Sequence, residues 1–423
     1  MLDIRLIREK PDFVRERLAT RGGDNTAKID GLLRLDAERR KAETTLQQLQ
    51  ADRNRSSKEI GAKKSRTEAT DDLERQVRKI GEQIVDLEQR ATKFEERQRS
   101  LLLEIPNLPH ESVPIGKDPS ANTVVREWGT KPKLAGQALD HVALGEKLKI
   151  LDLERATKLS GSGFICFTGA GARLERALIN FMIDLHVREH GYREMSPPFL
   201  VRRDCMIGTS QLPKFEPDMY GLENGELFLV PTAEVPLTNL HREEILASTD
   251  LPKKFVAYTP CFRREAGSAG RETRGILRVH QFDKVELVKI TTTEESYAEL
   301  ETLLADAEKV LQLLGLHYRV IELCTGDLTF GSAKTYDVEV WSPGQNAYLE
   351  VSSCSNFEDF QARRMNLRYK GADGKNKFAH TLNGSGLALP RLFAALIENF
   401  QQPGGAVQIP EKLQPYFGAA EIR

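Results

Sequence analysis

Seven apolar residues between positions 73 and 94 fall at alternating intervals of four and three: Leu73, Val77, Ile80, Ile84, Leu87, Ala91 and Phe94. That is a heptad seam, and it predicts a helix with one stripe packed against a partner helix. A weaker arm precedes it. Leu32, Leu35, Arg39, Ala42, Leu46, Leu49, Arg53, Ser56 and Ile60 keep the spacing with three polar interruptions. Residues 28–103 hold no proline and only three glycines, so nothing strong breaks a helix there. Between the arms runs "GAKKSRTEATDD", in which Gly61 can end one helix and Thr70 or Asp71 can cap the next. The pattern predicts an antiparallel helical hairpin whose arms, of about 30 residues each, project roughly 45 Å.

The periodicity then changes. A stretch with four prolines, "IPNLPHESVPIGKDPSANT" (105–123), reads as a linker. After it, helical patterns alternate with short strands such as "LFLV", "FVAYT", "YDVEVW" and "YLEVSS", joined mostly by loops rather than regular β-α-β crossovers. No G-x-G-x-x-G or G-x-x-x-x-G-K-[ST] motif occurs, which disfavours Rossmann and P-loop nucleotide sites. The expected fold class is α+β: an N-terminal coiled-coil hairpin (1–104, arm 28–103), the linker, and a domain over 124–423 with an antiparallel sheet flanked by helices.

Charge narrows the choices little. Lys and Arg number 61 against 62 Asp and Glu, so any basic surface is local. One such surface is the hairpin tip, where Arg53, Arg55, Lys58, Lys63, Lys64 and Arg66 face only Glu59. A basic tip on a long arm suits a phosphate backbone, whose neutralisation releases counterions. A dimerisation coiled coil with a solvated tip accounts for the same residues, and both readings stand at this point. The five cysteines are dispersed, with no C-x-x-C pair, so neither a disulfide framework nor a zinc site is expected. The charged start "MLDIRLIREKPDF" lacks a signal-peptide core, and no apolar run approaches a membrane span. A cytoplasmic protein without a membrane partner is the expectation.

The stretch "FRREAGSAGRETRG" (262–275) concentrates arginine between two strand-like runs, "FVAYTPCFRRE" and "ILRVHQFDKVELVKI". Strict alternation sends Arg263 and Glu265 to one face, and Arg278, His280, Phe282, Lys284 and Glu286 to one face of the second run, with Val279, Val285 and Leu287 pointing away. Arginine forks match phosphate and carboxylate oxygens, Phe282 offers a purine a stacking surface, and Glu265 and Glu286 offer acceptors. A solvated hairpin laced with salt bridges fits the same pattern. Two further stretches add to it. "TLNGSGLALPRLFAALIEN" reads as a Gly/Ser turn entering an apolar helix, with Arg391 near a helix N-terminus able to receive an anion. "YLEVSSCSN" brings Glu350 beside Ser352 and Ser353, oxygen ligands suited to Mg²⁺. Glu350 and Ser353 fall on opposite faces of a regular strand, so a bulge is required for both to reach one ion.

Together these residues resemble the class II aminoacyl-tRNA synthetases, and closely the seryl-tRNA synthetases of bacterial type. Phe262-Arg263-x-Glu265, a loop and Arg278-x-x-x-Phe282 match the second class-defining motif. "GSGLALPR" ending at Arg391 matches the third, and "HGYREMSPPFL" through Pro198 the first, at a dimer interface. "PTAEVPL", "TPCFRREAGS", "VHQFDKVE", "EVSSCSNFEDFQARRMN", "HTLNGSG" and the hairpin are similar to the seryl branch, so the resemblance covers essentially the whole chain. The one departure is Pro390 before Arg391, where some relatives carry Gly.

The resemblance implies a serine–tRNA ligase using ATP and Mg²⁺, without zinc, forming seryl-adenylate and then charging tRNA(Ser), with tRNA(Sec) where one exists. It implies that Arg263 bridges the ATP α-phosphate and the serine carboxylate. Glu265 reads the adenine amino group, Phe282 stacks on the ring, Arg278 and Arg391 hold the γ-phosphate, and Val279 contacts the nucleotide. Glu350 and Ser353 hold Mg²⁺. The same stretches bring Arg264, Val351 and Ser352 into the ATP set, although alternation turns Arg264 away and no chemistry is assigned to its side chain. Thr232, Ala233, Glu234, Glu286, Asn383 and Ser385, with Arg263, line the serine pocket. Arg271 and Arg274 are expected to meet the tRNA acceptor end or close over ATP. The implied assembly is a homodimer in which one subunit's arm presents tRNA to the other's site. Two other classes compete: a ligase that loads an amino acid onto a carrier protein, whose relatives lack the arm, and a non-catalytic coiled-coil protein, against which the intact Arg263, Glu265, Glu350 and Arg391 argue.

Overall fold

The computed structural model describes residues 1–134, 136–266 and 275–423. Its contacts divide the chain into two units: residues 1–19 with 23–106, and residues 20–22 with 107–423.

The first unit is built on helices α1 (Thr26–Lys64) and α2 (Asp71–Leu103). They are antiparallel: Lys28 at the start of α1 pairs with Glu104 at 3.2 Å, and Lys64 at its end pairs with Glu74 at 2.8 Å. The heptad positions form the buried seam, with Leu32, Ala42, Ile80 and Ile84 innermost. The arms are longer than the spacing predicts. At 39 and 33 residues they reach about 58 and 50 Å. Gly61 does not end α1; the helix runs through it to Lys64, and the left-handed turn falls instead at Thr67, φ 62°. Thr70 does occupy the N-cap position of α2, but its hydroxyl donates to Glu74 Oε1 at 2.8 Å rather than accepting from the backbone. Asp36, 2% exposed, sits in the seam and accepts from Arg8 (3.1 Å), Arg39 (3.3 Å) and Gln98 (3.3 Å). Burial pushes its pKa up, but these hydrogen bonds win and hold it below the usual range.

The tip is less uniformly basic than its sequence suggests. Arg55 pairs with Asp52 (2.8 Å), Lys63 with Glu59 (3.0 Å) and Lys64 with Glu74. Asp52 lies one turn back and Glu74 lies on the opposite arm, so Glu59 is not the sole acid there. Arg53, Lys58 and Arg66 make no ion pair among the described residues.

The second unit carries an eight-stranded sheet: β1 (Thr123–Trp128), β2 (Arg193–Glu194), β3 (Lys253–Phe262), β4 (Gln281–Thr291), β5 (Tyr318–Glu322), β6 (Lys334–Ser342), β7 (Ala347–Asn356) and β8 (His380–Ala388). Their spatial order is β1-β5-β6-β7-β8-β4-β3-β2, antiparallel except for the β2–β3 pair. This is the α+β architecture that the strand and loop pattern predicts. From Asn107 onward the proline-rich segment is packed on this unit: the Asn107 amide donates to Gly331 O (3.0 Å) and Phe357 O (2.9 Å).

Alternation on β4 divides two environments. Val285 and Leu287 enter the main core with helices α3 (Ala170–Arg188), α5 (Ser296–Leu314) and α7 (Leu389–Asn399). On the opposite face, Val288 and Ile290 lie under α4 (Glu234–Thr238) and α6 (Phe360–Met365) in a second apolar cluster. Further along that face come the charged Glu286 and Lys284 and then the Phe282 ring, and there the cavity opens. Among the described residues no helix is long and apolar enough to cross a membrane, and all five cysteines are free thiols.

Candidate active site

A cavity of about 970 Å³ lies over the polar half of β4. Six segments of the chain bring the expected residues to its walls. Thr232 and Glu234 enter from the start of α4, Arg263 and Glu265 from beyond β3, and Arg278, Val279, Phe282, Lys284 and Glu286 from β4 and the turn before it. Glu350, Val351 and Ser353 come from β7, Asn383 and Ser385 from β8, and Arg391 from the first turn of α7. Three residues of the expected set do not line it. Arg264 is exposed, Ala233 is fully buried, and Ser352 is turned into the sheet with its hydroxyl on Ser385 O at 2.6 Å. Arg271 and Arg274 lie outside the described residues.

The local geometry departs from simple alternation. β3 stops at Phe262, and one more ladder bond, Arg263 N–H to His280 O at 2.8 Å, follows. The chain then turns at Glu265 (φ 50°), held by Asp218, which accepts from Arg264 N (2.8 Å) and Ala266 N (3.0 Å). Arg263 and Glu265 therefore reach the cavity from a turn and not from a strand. His280 lies against Phe164 instead, and Val279, expected to point away, lines the wall. The Gly/Ser stretch before α7 is strand β8 and not a turn: Asn383 pairs with Val288 and Ser385 with Glu286.

The anticipated bulge is present. Ser352 pairs with Val338 and Glu350 with Glu339, so Val351 is the extra residue. Both Glu350 and Ser353 consequently face the cavity.

Four cations and their partners set the electrostatics. The Arg278 guanidinium is ion-paired with the Glu265 carboxylate. Arg263 donates Nε to Pro231 O at 3.3 Å, and its guanidinium carbon lies 5.1 Å from the centre of the Phe282 ring. Arg391 bonds Leu277 O (3.2 Å) and Glu350 O (2.8 Å), and approaches the Glu350 carboxylate at 3.5 Å. Lys284 is ion-paired with Glu286, both buried, and Asn383 donates to the other Glu286 oxygen at 2.9 Å. Glu234, 6% exposed, has no such cation among the described residues; Gln361 donates to it at 2.7 Å. Burial first, and then the charge of Glu286, pushes the Glu234 carboxyl up to about 7, against Gln361, Lys284 and Arg263.

Glu350 and Ser353 supply a carboxylate and a hydroxyl to one wall, and Asp337 stands directly across from Ser353 in the ladder. Asp337 Oδ1 is buried without a hydrogen-bond partner among the described residues. No cluster of three or more His, Cys, Asp or Glu with metal spacing is found among them. Two protein oxygens, one from Glu350 and one from Ser353, suit a cation such as Mg²⁺ that keeps most of its waters, and not a metal that demands a full protein cage.

The sequence reading missed Asp337, Gln361 and the 209–211 segment, all at the cavity or one bond behind it. Alternation in "YDVEVW" could have placed Asp337 and Glu339 on one face. Gln361, on a six-residue helix, carried no such signal.

Residues 215–400 match the family described as the tRNA synthetase class II core domain (G, H, P, S and T), and residues 1–109 match the seryl-tRNA synthetase N-terminal domain. The chain is 58% identical over 423 residues to a serine–tRNA ligase of Akkermansia muciniphila, covering 100% of this chain and 99% of that protein. It is 54% identical to one of Carboxydothermus hydrogenoformans, with the same coverage. The seryl-tRNA synthetase of Pyrococcus horikoshii, solved in complex with ATP, aligns with a TM-score of 0.94 at 39% identity, covering 100% of this chain and 99% of that one. The cytoplasmic serine–tRNA ligase of Naegleria fowleri, solved with AMP, aligns at 0.89 and 30%, again over 100% and 99%.

Proposed function

Because the chain belongs to the seryl-tRNA synthetase family and joins serine to tRNA at the expense of ATP, we propose a residue-by-residue division of that work. The observation that carries it is the convergence of Arg263, Arg278, Arg391, Glu234, Glu286 and Glu350 on one cavity.

In the first step a serine carboxylate oxygen attacks the α-phosphorus of ATP in line, and pyrophosphate leaves. Two anions must be brought together, and Arg263 is the group between them: its fork binds one oxygen of each and offsets the charge gathering on the phosphoryl. Arg278 and Arg391 take the γ-phosphate, Phe282 and Val279 contact the base, and Glu265 accepts from the adenine amino group. Phosphate and Glu265 compete for the Arg278 fork, so nucleotide entry exchanges one charged partner for another. Mg²⁺, held by Glu350 and Ser353, would withdraw charge from the phosphates. No protein nucleophile is needed, because orientation and charge do the work.

Serine lies against Glu234, Glu286, Thr232, Asn383 and Ser385. Glu286 is already neutralised by Lys284, so Glu234 is the carboxylate left for the substrate ammonium. Buried acceptors for the serine hydroxyl reject alanine, which would leave them unpaired. In the second step a hydroxyl of the tRNA's terminal adenosine attacks the acyl carbon and AMP leaves. The hairpin tip contacts the tRNA through backbone and shape, in a homodimer where the arm of one subunit serves the site of the other. tRNA(Sec) is taken by the same contacts where it exists, and the enzyme works in the cytoplasm.

Pyrophosphate exchange across the twenty amino acids, followed by charging of bulk tRNA, tests the scheme. Serine-dependent exchange that Arg263→Ala abolishes is expected. Exchange that survives Arg263→Ala overturns its role, and exchange without tRNA charging favours a carrier-protein ligase.

A further inference from the structure

Among the described residues Glu234 pairs with no cation, and what it does meet is fixed in orientation. Gln361 is 1% exposed on α6. Its Nε2 faces two acceptors, Glu234 Oε1 at 2.7 Å and, more distantly, Thr209 O at 3.5 Å. Its Oε1 accepts from the Thr381 hydroxyl at 2.7 Å. A flipped amide would set its oxygen against a carboxylate and a carbonyl, so only one orientation satisfies all three neighbours. The result is a relay from β8 through α6 to α4: Thr381 Oγ1 to Gln361, Gln361 to Glu234. At the far end Glu234 N–H is bonded to Thr232 Oγ1 at 3.1 Å, which fixes the backbone beneath the carboxylate.

We propose that Gln361 is the positioning residue of the amino-acid pocket, holding one oxygen of Glu234 so that the other is presented to the substrate ammonium. The inference rests on the reading of Glu234 as a serine-pocket residue and goes beyond it, since Gln361 touches no substrate. The charged groups facing Glu234 are Glu286 and Lys284 from β4 and Arg263 from beyond β3. Lys284 is ion-paired with Glu286, and Arg263 is turned toward Phe282 and Pro231. Among the described residues the neutral amide of Gln361 is therefore the one direct donor to the Glu234 carboxylate, and it favours the charged form without supplying a rival cation. A lysine in its place would close the pocket to an ammonium by occupying the same acceptor.

Three variants test the relay in pyrophosphate exchange, with KM for serine and for ATP measured from pH 6 to 9. Gln361→Met keeps the volume and removes all three hydrogen bonds of the amide. It is expected to raise KM for serine tenfold or more, to leave KM for ATP within twofold, and to move the acid limb of kcat/KM for serine to higher pH. The direction follows because the lost donor had stabilised the ionised form. Thr381→Val leaves Gln361 in place and deprives its carbonyl of a donor; a two- to fivefold rise in the same constant is expected. If Gln361→Met does not give a folded enzyme by circular dichroism, Thr381→Val decides alone. KM values for serine and ATP that rise together with an unmoved acid limb, or a serine KM that does not move, overturn the proposal. Glu234→Gln separates the two layers: if it leaves KM for serine unchanged, the assignment of Glu234 itself fails, and if it raises that KM while Gln361→Met does not, only the relay fails.

Discussion

The imidazole Nδ1 of His141 lies 2.9 Å from Oε1 of Glu398, and both side chains are wholly buried. That carboxylate also accepts from His141 N (2.9 Å), the Ser342 hydroxyl and Gly344 N (3.1 Å). Because Nδ1 donates, Nε2 is the accepting nitrogen, and it faces Ile276 N–H at 3.4 Å. Glu398 and Arg391 share α7, and Arg391 bonds Leu277 O. One helix thus grips consecutive residues just before Arg278. Gly275 fits this contact for two reasons: φ is 70°, and a Cβ would lie 2.2 Å from His141 Nε2. Glu398→Gln puts an amide where four donors converge. It is expected to cost about 2–3 kcal/mol in urea unfolding and to raise KM for ATP through the loosened wall.

Arg278 separates nucleotide binding from serine binding. Arg278→Ala removes the proposed γ-phosphate fork and leaves the Lys284–Glu286 pair and Glu234 untouched. KM for ATP should rise tenfold or more, a loss of about 1.4 kcal/mol or greater, with KM for serine within twofold. A parallel rise in both would show that the cavity wall, and not one phosphate contact, had been lost.

Glu234 links stability to pH with a definite sign. Its carboxyl is raised from 4.5 to about 7 in the folded chain, so between those values the native state holds a proton that the unfolded state has released. Stability from this group is present below the unfolded value and declines as pH climbs toward 7. The span corresponds to about 3 kcal/mol. Glu234→Gln should remove this decline. Urea midpoints at pH 5 and pH 8 will converge in the variant relative to the parent, while serine-dependent exchange falls.

Charge reversal at the hairpin tip tests tRNA recognition without disturbing adenylate formation. Arg53, Lys58 and Arg66 are the tip cations without an ion-pair partner among the described residues, whereas Arg55, Lys63 and Lys64 have acids within 3.0 Å. Replacing the first three by Glu should lower kcat/KM for tRNA at least tenfold and flatten its salt dependence by about one logarithmic unit per lost phosphate contact. Serine-dependent pyrophosphate exchange should be unchanged. Equal losses in both reactions would contradict the proposed separation of arm and site.

The parts legible in the sequence were those governed by a single period. The seam from Leu73 to Phe94 and the two faces of β4 around Val285 and Glu286 follow from 3.5 and 2 residues per repeat, and tertiary packing honours both. The departures occur where a local contact overrides the period. Gly61 stays helical because its neighbours carry the helix on, Glu265 turns because Asp218 holds the backbone on either side of it, and β8 passes through residues that resemble a turn, with a register shift between Ser385 and Ala388, because β4 and β7 flank it. Gln361 and Asp337 escaped because each takes its meaning from a partner distant in the chain: Glu234 is 127 residues from Gln361, and Ser353 is on the neighbouring strand from Asp337.

The extra residue on β7 turns sidedness into a matter of parity. Glu350 and Ser353 are separated by an odd step, and Val351 is what brings them to one side. A single-codon deletion at Val351 would shorten that step to two and restore plain alternation, with both oxygens still toward the cavity. The same deletion at Leu349 would carry Tyr348 to the buried face that Leu349 holds and shift Ala347 with it. Two codons on either side of Glu350 thus act oppositely on sidedness, and the loss of the one that breaks the regular ladder leaves both oxygens on the cavity face.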